Sequence, residues 1–286
     1  MKKRFLMIQL GLLITILLCN IACANGNKNK VEIKTISYNI RQSGLAQTDG
    51  EHKWDNRKQA TITMIEQEKP AVFGLQEALL EQVEYLETNL PQYSRVGVGR
   101  DDGKNAGEFM AIFYLSDKFK LLQNGTFWLS ETPLSVSKGW DAACFRTVEW
   151  VQLQEIESKK VFYFFNTHFD HIGMAARENS AKLVLEKIKE IAGKKARVVL
   201  GGDLNSAISD PIFDPLKNFM DVARECSPVT DNKGTFNGFG SSPNTIVIDH
   251  FFSRNVKCKQ FRTLDGDYGA PYISDHYPIE FVFELK

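Results

Sequence analysis

The sequence predicts an α/β protein in which two sheets pack on each other with helices outside. Eight short apolar runs rich in β-branched and aromatic residues are mixed with three helical patterns. Several runs are apolar at nearly every position, which is typical of strands in a sheet covered on both faces. A single doubly wound sheet is the alternative, but the sequence lacks the glycine-rich strand-to-helix loop that would support it.

The elements follow in chain order. Each predicted helix ends at a residue that stops helices, namely Pro70, Pro91 and Gly193. The predicted strands cover residues 31–40, 71–77, 107–115, 147–156, 160–169, 196–205, 245–253 and 278–285, and the predicted helices cover residues 55–68, 78–90 and 175–192.

Residues 1–24 predict a signal peptide. A basic tip is followed by an apolar stretch and then by the small residues 22–24, so cleavage before Asn25 would leave a single domain of residues 25–286. A lone transmembrane anchor is the less favoured alternative. The sequence around Cys23 also loosely resembles a lipoprotein signal, which leaves lipidation open. We expect an exported protein of the periplasm, cell envelope or exterior, with no integral membrane span after processing.

Net charge disfavours binding to long nucleic acid, and the cysteine spacing disfavours a cysteine-based metal site. The chain has 35 basic and 35 acidic residues, and three of the basic ones lie in the leader, so the mature net charge is near −3. Proteins that hold long nucleic acid usually show a basic excess, which is absent overall here. Cys144, Cys226 and Cys258 have no metal-site spacing. Either one disulfide among them or free thiols would suit the sequence.

Polar side chains recur where the apolar runs end or the following loops begin. Such a rim over a rigid scaffold is a common place for a functional site. Oxygen-rich ligands suit Mg²⁺ or Mn²⁺, and histidines beside carboxylates suit proton transfer, so the rim predicts phosphoester hydrolysis. In chain order these residues are Asn39, Glu77, Glu108, His168, Asp170, Asp203, Asn205, Asp249, His250, Asp275 and His276.

Structural roles compete with these interpretations. Asp203 and Asn205 follow two glycines and would also suit an ordinary turn. Neighbouring residues on a strand point to opposite faces, so if Asp249 faces the site then His250 does not. We therefore expect His250, and likewise His171, to be structural.

Six short motifs carry a resemblance across almost the whole mature chain. "SYNIR", "GLQE", "NTHFDH", "GGDLN", "IDHFF" and "SDHYPI" occur in the order found in the endonuclease/exonuclease/phosphatase family, which includes deoxyribonuclease I. The resemblance implies a four-layer α/β sandwich with two central mixed sheets. It also implies Mg²⁺-dependent attack of water on phosphorus.

The resemblance implies a metal side of the site. Glu77 resembles the main metal ligand, and Asn39 would lie next to the metal and the phosphate. Asp275 would assist the metal, either directly or through water.

It also implies a catalytic side. Asp203 would orient or deprotonate the attacking water, and Asn205 would hold a phosphate oxygen. His276 would contact the scissile phosphate while held by Asp249. Which member of this set is the general base stays open.

Further residues follow from the same resemblance. His168, paired with Glu108, would protonate the leaving group as in the deoxyribonuclease I branch. Arg146 would bind phosphate and Arg177 would supply a second cation, while Asp170 would be either a local hydrogen-bond partner or a substrate contact.

These inferences lead to three functional hypotheses. The favoured one is an exported, metal-dependent phosphoesterase, expected as a monomer, and the charge favours a small or terminal phosphoester. The alternatives are a general extracellular nuclease and a non-enzymatic binding module. The loops that decide the substrate, predicted at 42–54, 99–106, 128–145 and 230–244, carry no recognisable code.

Overall fold

Two mixed six-stranded sheets form the centre of the protein. The computed structural model describes residues 30–286; the predicted signal peptide and Cys23 lie outside the described residues.

The strands of the first sheet are β1 (Val31–Asn39), β2 (Val72–Gln76), β3 (Tyr93–Val96), β4 (Ile112–Leu115), β11 (Val256–Thr263) and β12 (Ile279–Leu285). Those of the second sheet are β5 (Phe119–Trp128), β6 (Thr147–Glu155), β7 (Val161–His168), β8 (Val198–Asp203), β9 (Asp221–Val222) and β10 (Asp249–Arg254). The first sheet has the strand order β11-β12-β1-β2-β4-β3, and the second has the order β5-β6-β7-β8-β10-β9. The pairs β1–β2 and β7–β8 are parallel, and the other pairs are antiparallel.

The helices lie in the connections between strands. They are α1 (Ala46–Asp49), α2 (Trp54–Glu68), α3 (Leu80–Asn89), α4 (Met174–Ile191), α5 (Asp214–Lys217) and α6 (Ala223–Cys226). Short 3₁₀ turns occupy Ser43–Leu45, Gly50–His52, Pro211–Phe213 and Gly238–Gly240. The three predicted helices correspond to α2, α3 and α4. Within residues 30–286, none of the helices has the length and apolar character that a bilayer crossing needs.

Three apolar clusters fill the space around the sheets. One lies between the sheets and includes Phe164, Phe251 and Phe281. A second packs α2 and α3 on the first sheet, and a third packs α4 on the second sheet. The resulting order of helices, sheet, sheet and helices confirms the predicted four-layer sandwich and explains why so many strands are apolar on both faces.

The eight predicted strands correspond to β1, β2, β4, β6, β7, β8, β10 and β12. The prediction for 107–115 is too long, because regular pairing begins at Ile112 and Phe109 forms only isolated bridges. Similarly, β10 begins at Asp249 rather than at residue 245. Strands β3, β5, β9 and β11 were not predicted.

A disulfide joins Cys226, at the end of α6, to Cys258 in β11, and Cys144 is a free, half-buried thiol. Of the alternatives that the sequence left open, the structure therefore shows one disulfide.

Candidate active site

Strand pairing brings the predicted site residues to one edge of the sandwich. Asn39 ends β1 opposite Gln76, which directly precedes Glu77. In the second sheet, Asp203 at the end of β8 lies opposite both His168 of β7 and Asp249 of β10. The parallel pairs end here and β10 begins here, so the two sheets present polar side chains to the same place.

The segment before β12 completes this edge. Strand β12 runs antiparallel to β1, so the residues just before it lie beside the end of β1. The Ser274 hydroxyl donates a hydrogen bond to the Asn39 carbonyl over 2.7 Å. This contact positions Asp275 and His276 against the first sheet.

The Asn39 side chain links the two sheets. Its Nδ2 donates to Glu77 Oε1 and to Asp203 Oδ2, each over 3.0 Å. Its Oδ1 accepts the backbone amide of Arg41 over 3.0 Å. That oxygen keeps a second lone pair, and the side chain lies between two carboxylates, so a place next to a metal stays a prediction for Asn39.

Glu77 occupies a strained position. Its φ of 64° lies in the left-handed region, which non-glycine residues adopt mainly where surrounding structure enforces it, often at functional sites. The side chain is half-buried, and its Oε2 accepts a hydrogen bond from the backbone amide of Gln42 over 3.3 Å. Hydrogen bonds from Asn39 and Gln42 thus hold the carboxylate of a residue whose backbone is strained.

Glu77 and Asp275 form an oxygen-rich set. Burial raises the pKa of Asp275 and the negative charge of Glu77 adds to this rise, although His276 and Arg41 oppose it. Arg41 Nη1 lies 3.3 Å from Asp275 Oδ2. Two neighbouring carboxylates whose charges disfavour each other are the donor chemistry that a hard divalent cation satisfies.

His276 and Asp249 form a buried pair. Nδ1 of His276 lies 2.9 Å from Asp249 Oδ2, and its Nε2 lies 3.7 Å from Asp203 Oδ2. Burial lowers the pKa of His276, but Asp249 and Asp203 outweigh this effect and raise it to about 10. The imidazole is therefore cationic near neutral pH and suited to an anionic phosphate.

Ligand atoms of Asp203, Asp249 and His276 lie within 4.8 Å of one another, close enough to hold a metal ion. Since Asp249 already binds Nδ1 of His276, we interpret this group as an acid–base arrangement. Burial and the charge of Asp249 raise the pKa of Asp203 to about 7. Its Oδ1 accepts a hydrogen bond from the backbone amide of Asn205 over 3.0 Å.

The structure brings His168 to the site but not into the hydrogen bond expected with Glu108. Nδ1 of His168 lies 4.0 Å from Glu108 Oε2 and has no hydrogen-bond partner within the part of the chain that the structure describes. Arg100 and Gln42 donate to the Glu108 carboxylate instead. Burial raises the pKa of Glu108 to about 7, and burial together with Arg146 lowers that of His168 well below 6.5.

The other ring nitrogen of His168 faces the second sheet. Nε2 lies 3.0 Å from Asn205 Nδ2 and 3.4 Å from Asp203 Oδ2. Asn205 also donates from Nδ2 to the Phe169 carbonyl over 3.0 Å, and its φ of 49° fixes the turn after β8.

Arg146 is buried beside His168. Its Nε donates to Asp170 Oδ2 over 3.3 Å, and its Nη2 lies 2.9 Å from His171 Nδ1. Its Nη1 is buried and has no partner among residues 30–286. A buried guanidinium with a free donor fits the anion-binding role expected from the sequence.

Asp170 is placed differently from a substrate contact. It is fully buried, and its carboxylate accepts hydrogen bonds from Arg146 and from four backbone amides. Burial alone would raise the pKa of Asp170, but these amides lower it below its usual value. An anion with its donors already engaged has little reason to contact a phosphate, so the structure favours the local hydrogen-bond partner of the two roles left open. Arg177 donates from Nη1 to the Asp170 carbonyl over 2.9 Å.

His250 is buried, and its Nε2 lies 2.9 Å from the Ser206 carbonyl. Burial lowers its pKa to about 4. These contacts suit the structural role expected from the sequence. By contrast, His171 touches the candidate phosphate-binding Arg146, which the sequence did not predict.

Sequence reasoning missed Arg57, a residue of α2 that is 1% exposed. Its guanidinium donates to the carbonyls of Ile40 (2.8 Å), Arg41 (3.2 Å) and Ile273 (2.7 Å). It thus ties the end of β1 to the segment that carries Asp275. One available signal was its spacing of three residues from Trp54, which puts it on the buried face of the helix.

Comparisons with known proteins agree with this geometry. The model of the "Endonuclease/Exonuclease/phosphatase family" matches residues 36–276. An endonuclease/exonuclease/phosphatase from Bacteroides vulgatus is 35% identical, with a TM-score of 0.85 over 90% of this chain and 100% of that one. A mannosyl-6-phosphatase from Bacteroides thetaiotaomicron is 36% identical, with a TM-score of 0.83 over 88% and 99%.

More distant proteins also match. An uncharacterized protein of Acanthamoeba polyphaga mimivirus is 28% identical over 88% of this chain and 100% of its own length. The human nocturnin catalytic domain, at 18% identity and a TM-score of 0.71 over 89% and 94%, shares the fold. The family and its solved phosphatase member support a hydrolase that acts on phosphoester bonds. The chain belongs to the endonuclease/exonuclease/phosphatase family.

Proposed function

We propose that this protein is an exported, metal-dependent phosphoesterase that hydrolyses a small or terminal phosphoester by attack of water. One observation carries the proposal. Asp203 Oδ2 accepts a hydrogen bond from Asn39, which also donates to Glu77. The same oxygen lies 3.7 Å from Nε2 of His276, the histidine paired with Asp249. The Glu77 carboxylate, which suits a cation, and the His276 imidazole, which suits a phosphate, are thus both linked to Asp203.

Glu77 and Asp275 are the residues that would hold Mg²⁺ or Mn²⁺. Their hard oxygen donors fit such an ion, which in this chemistry offsets charge on a phosphoryl oxygen. Asn39 would keep the Glu77 carboxylate in place through its hydrogen bond.

The chain's own residues would act as follows. Asp203 orients the attacking water and accepts its proton, while cationic His276 binds a phosphoryl oxygen and Asp249 fixes the orientation of its ring. Asn205 supplies an amide to the same phosphate. His168 would give a proton to the departing alcohol oxygen once the negative charge of a bound phosphate offsets the burial and the Arg146 charge that lower its pKa.

Arg146 supplies a cation on the His168 side, with Asp170 as a positioning residue. The four amides and the guanidinium bound by Asp170 join residues 143–146 to residues 172–173. Arg177 braces the Asp170 backbone.

A phosphomonoester of a sugar is the first substrate class to test. The 36% identical protein from Bacteroides thetaiotaomicron is described as a mannosyl-6-phosphatase, and a net charge near −3 disfavours long polyanions. A general nuclease is the competing outcome. The clustered acid–base groups count against a non-enzymatic module, since binding alone needs no such pairing.

Export is supported by the leader and by the Cys226–Cys258 bond, because disulfides persist mainly in oxidising compartments. Fractionation of cells that make the full chain should find a processed protein outside the cytoplasm. An unprocessed cytoplasmic protein with reduced cysteines would contradict export.

The hydrolysis itself is tested by a screen with protein that begins at residue 25. Sugar phosphates, linear and cyclic diesters, nucleic acids and lipid head groups would be supplied with Mg²⁺ or Mn²⁺, and phosphate or alcohol release measured. We expect turnover of small phosphomonoesters above the rates with duplex DNA or RNA. Preferential turnover of duplexes would favour the nuclease, and an inactive protein that still binds a phosphoester would favour the binding module.

A further inference from the structure

The loop over residues 235–240 is mounted directly on the segment that carries His276. The amides of Asn237 and Gly238 donate to the Asp275 carbonyl over 2.8 and 3.0 Å. The Tyr277 amide donates to the Thr235 carbonyl over 2.7 Å. The position of this loop relative to the candidate catalytic imidazole is therefore fixed by backbone hydrogen bonds on both sides of His276.

Phe236 is the side chain that this loop places against His276. The two residues form an isolated antiparallel bridge, and their ring centroids lie 5.1 Å apart with an interplanar angle of 72°. Phe236 is half-buried whereas His276 is buried, so the phenyl ring that adjoins the imidazole is itself partly open to solvent.

The remainder of the loop is braced rather than loose. Phe239 has a φ of 54°, a strained conformation that its surroundings must maintain. Its amide donates to the buried Asn237 side chain over 2.8 Å, and its ring stacks on His52 at 4.6 Å. Asn237 in turn donates to the Ser274 carbonyl over 3.2 Å. Phe236 is thus presented by a preformed support, which limits the ordering cost of binding.

We propose that Phe236 forms the subsite for the sugar ring that carries the scissile phosphate. This inference rests on the proposed function. A phosphate held at His276 places the first carbons of its ester within a few bond lengths of that imidazole, and the Phe236 ring adjoins the same imidazole. A half-buried aromatic face offers apolar area to the C–H face of a ring, which a flexible acyclic alcohol fills poorly.

Two sources of such a ring are possible, a hexose phosphate and a nucleoside phosphate, because both carry a sugar next to the phosphate. Phe236→Ala would be assayed on hexose 6-phosphate, nucleoside 5′-monophosphate and glycerol 3-phosphate. We expect kcat/KM to fall about tenfold for at least one ring substrate and less than about threefold for glycerol 3-phosphate. The ring substrate with the larger loss identifies the source.

The glycerol substrate separates substrate binding from damage to the imidazole. If Phe236 only supports His276, removing it will slow all substrates equally, and that result would overturn the inference. Phe236→Tyr should retain the preference for the ring substrate because it keeps the aromatic face. Should the alanine variant not fold, Phe236→Leu would be assayed on the same substrates and the ratio of ring to glycerol rates compared with that of wild type.

Phe219→Ala is the matched control, since Phe219 is a half-buried phenylalanine that packs on Arg254, at the far end of β10 from Asp249. It should leave the substrate ratio unchanged. Wild-type turnover of glycerol 3-phosphate but of neither ring substrate would overturn this inference while leaving the proposed function intact. No turnover of any phosphoester with either metal would overturn both.

Discussion

Two side chains from strands and one from the segment before β12 converge on one carboxylate oxygen of Asp203. Asn39 Nδ2, His168 Nε2 and His276 Nε2 lie 3.0, 3.4 and 3.7 Å from Oδ2. Residues this close do not act independently, so the effects of changing them should not add. At the scale of single residues, the pairing of His276 with Asp249 is the most direct case.

His276→Ala should lower kcat by about 10²-fold or more, as is usual for a positioned catalytic imidazole. Asp249→Asn should also lower kcat, because it removes the charge that holds Nδ1. Adding Asp249→Asn to His276→Ala should cost little more than His276→Ala alone, as judged by steady-state kinetics of the three variants. Simple additivity would show that the 2.9 Å contact has no catalytic consequence.

Local sequence pattern found the interior strands and missed the edges. The eight predicted strands are the eight interior ones, and the missed strands β3, β5, β9 and β11 are the four that end the two sheets. Interior strands are covered on both faces and read as apolar runs, whereas edge strands carry polar side chains that block further pairing. In β5, for example, Lys120, Gln123 and Asn124 are exposed.

The disulfide belongs to the same scale, because it fastens α6 to the edge strand β11. Its cysteines are 32 residues apart in sequence, and the chain-entropy model gives about 3 to 4 kcal/mol for a loop of that length. The double variant Cys226→Ser, Cys258→Ser should lose roughly that much free energy of unfolding, measured with denaturant.

Cys144→Ser is the control for this measurement, because Cys144 is a free thiol. It should leave the unfolding free energy nearly unchanged, and reductant should destabilise wild type but not the double variant. Equal stability of wild type with and without reductant would contradict a stabilising role for the bond.

At the scale of the whole molecule, strand ends made the candidate site predictable and loops did not. Asn39, His168 and Asp203 end apolar strands, so their gathering follows from the sheet topology. Arg41 and Arg100 lie outside strands and reach the site through tertiary contacts that no local pattern encodes. For the same reason, the sequence predicted that His168 pairs with Glu108 but did not predict that Arg100 donates to the Glu108 carboxylate.

His250 should contribute a loss of unfolding free energy as pH falls below neutrality. Burial lowers the pKa of His250 to about 4, below the ordinary value of 6.5. A depressed histidine pKa means that the unfolded chain takes up the proton first, so its stabilising contribution is complete above pH 6.5 and is lost between 6.5 and 4. The full loss is about 3 kcal/mol.

Denaturant unfolding at pH 7 and pH 4.5 tests this expectation. His250→Gln, which keeps a donor for the Ser206 carbonyl, should lose less stability on acidification than wild type does. Other groups add their own pH dependence, so only the difference between variant and wild type is read. The lowered pKa of His168 acts in the same direction as that of His250, whereas the raised pKa values of Asp203 and Glu108 favour the folded chain on acidification. An identical pH dependence in the variant would rule out His250 as a contributor.

Net charge predicts weak binding to long polyanions. With a mature net charge near −3, only a few phosphates should be engaged at once. A plot of log affinity for a DNA or RNA duplex against log salt should therefore have a slope of magnitude about 3 or less. Tight duplex binding with a steep slope would promote the nuclease alternative.

The central claim is that a divalent cation at Glu77 and Asp275 drives phosphoester hydrolysis, and its most direct test is phosphate release as a function of free Mg²⁺. Chelator should abolish release, Mg²⁺ should restore it along a saturable curve, and Glu77→Gln should need about tenfold more Mg²⁺ or fail altogether. Glu84→Gln, the same change at an exposed position of α3, should follow the wild-type curve. Full activity in chelator, or a Glu77→Gln curve that matches wild type, would contradict the account.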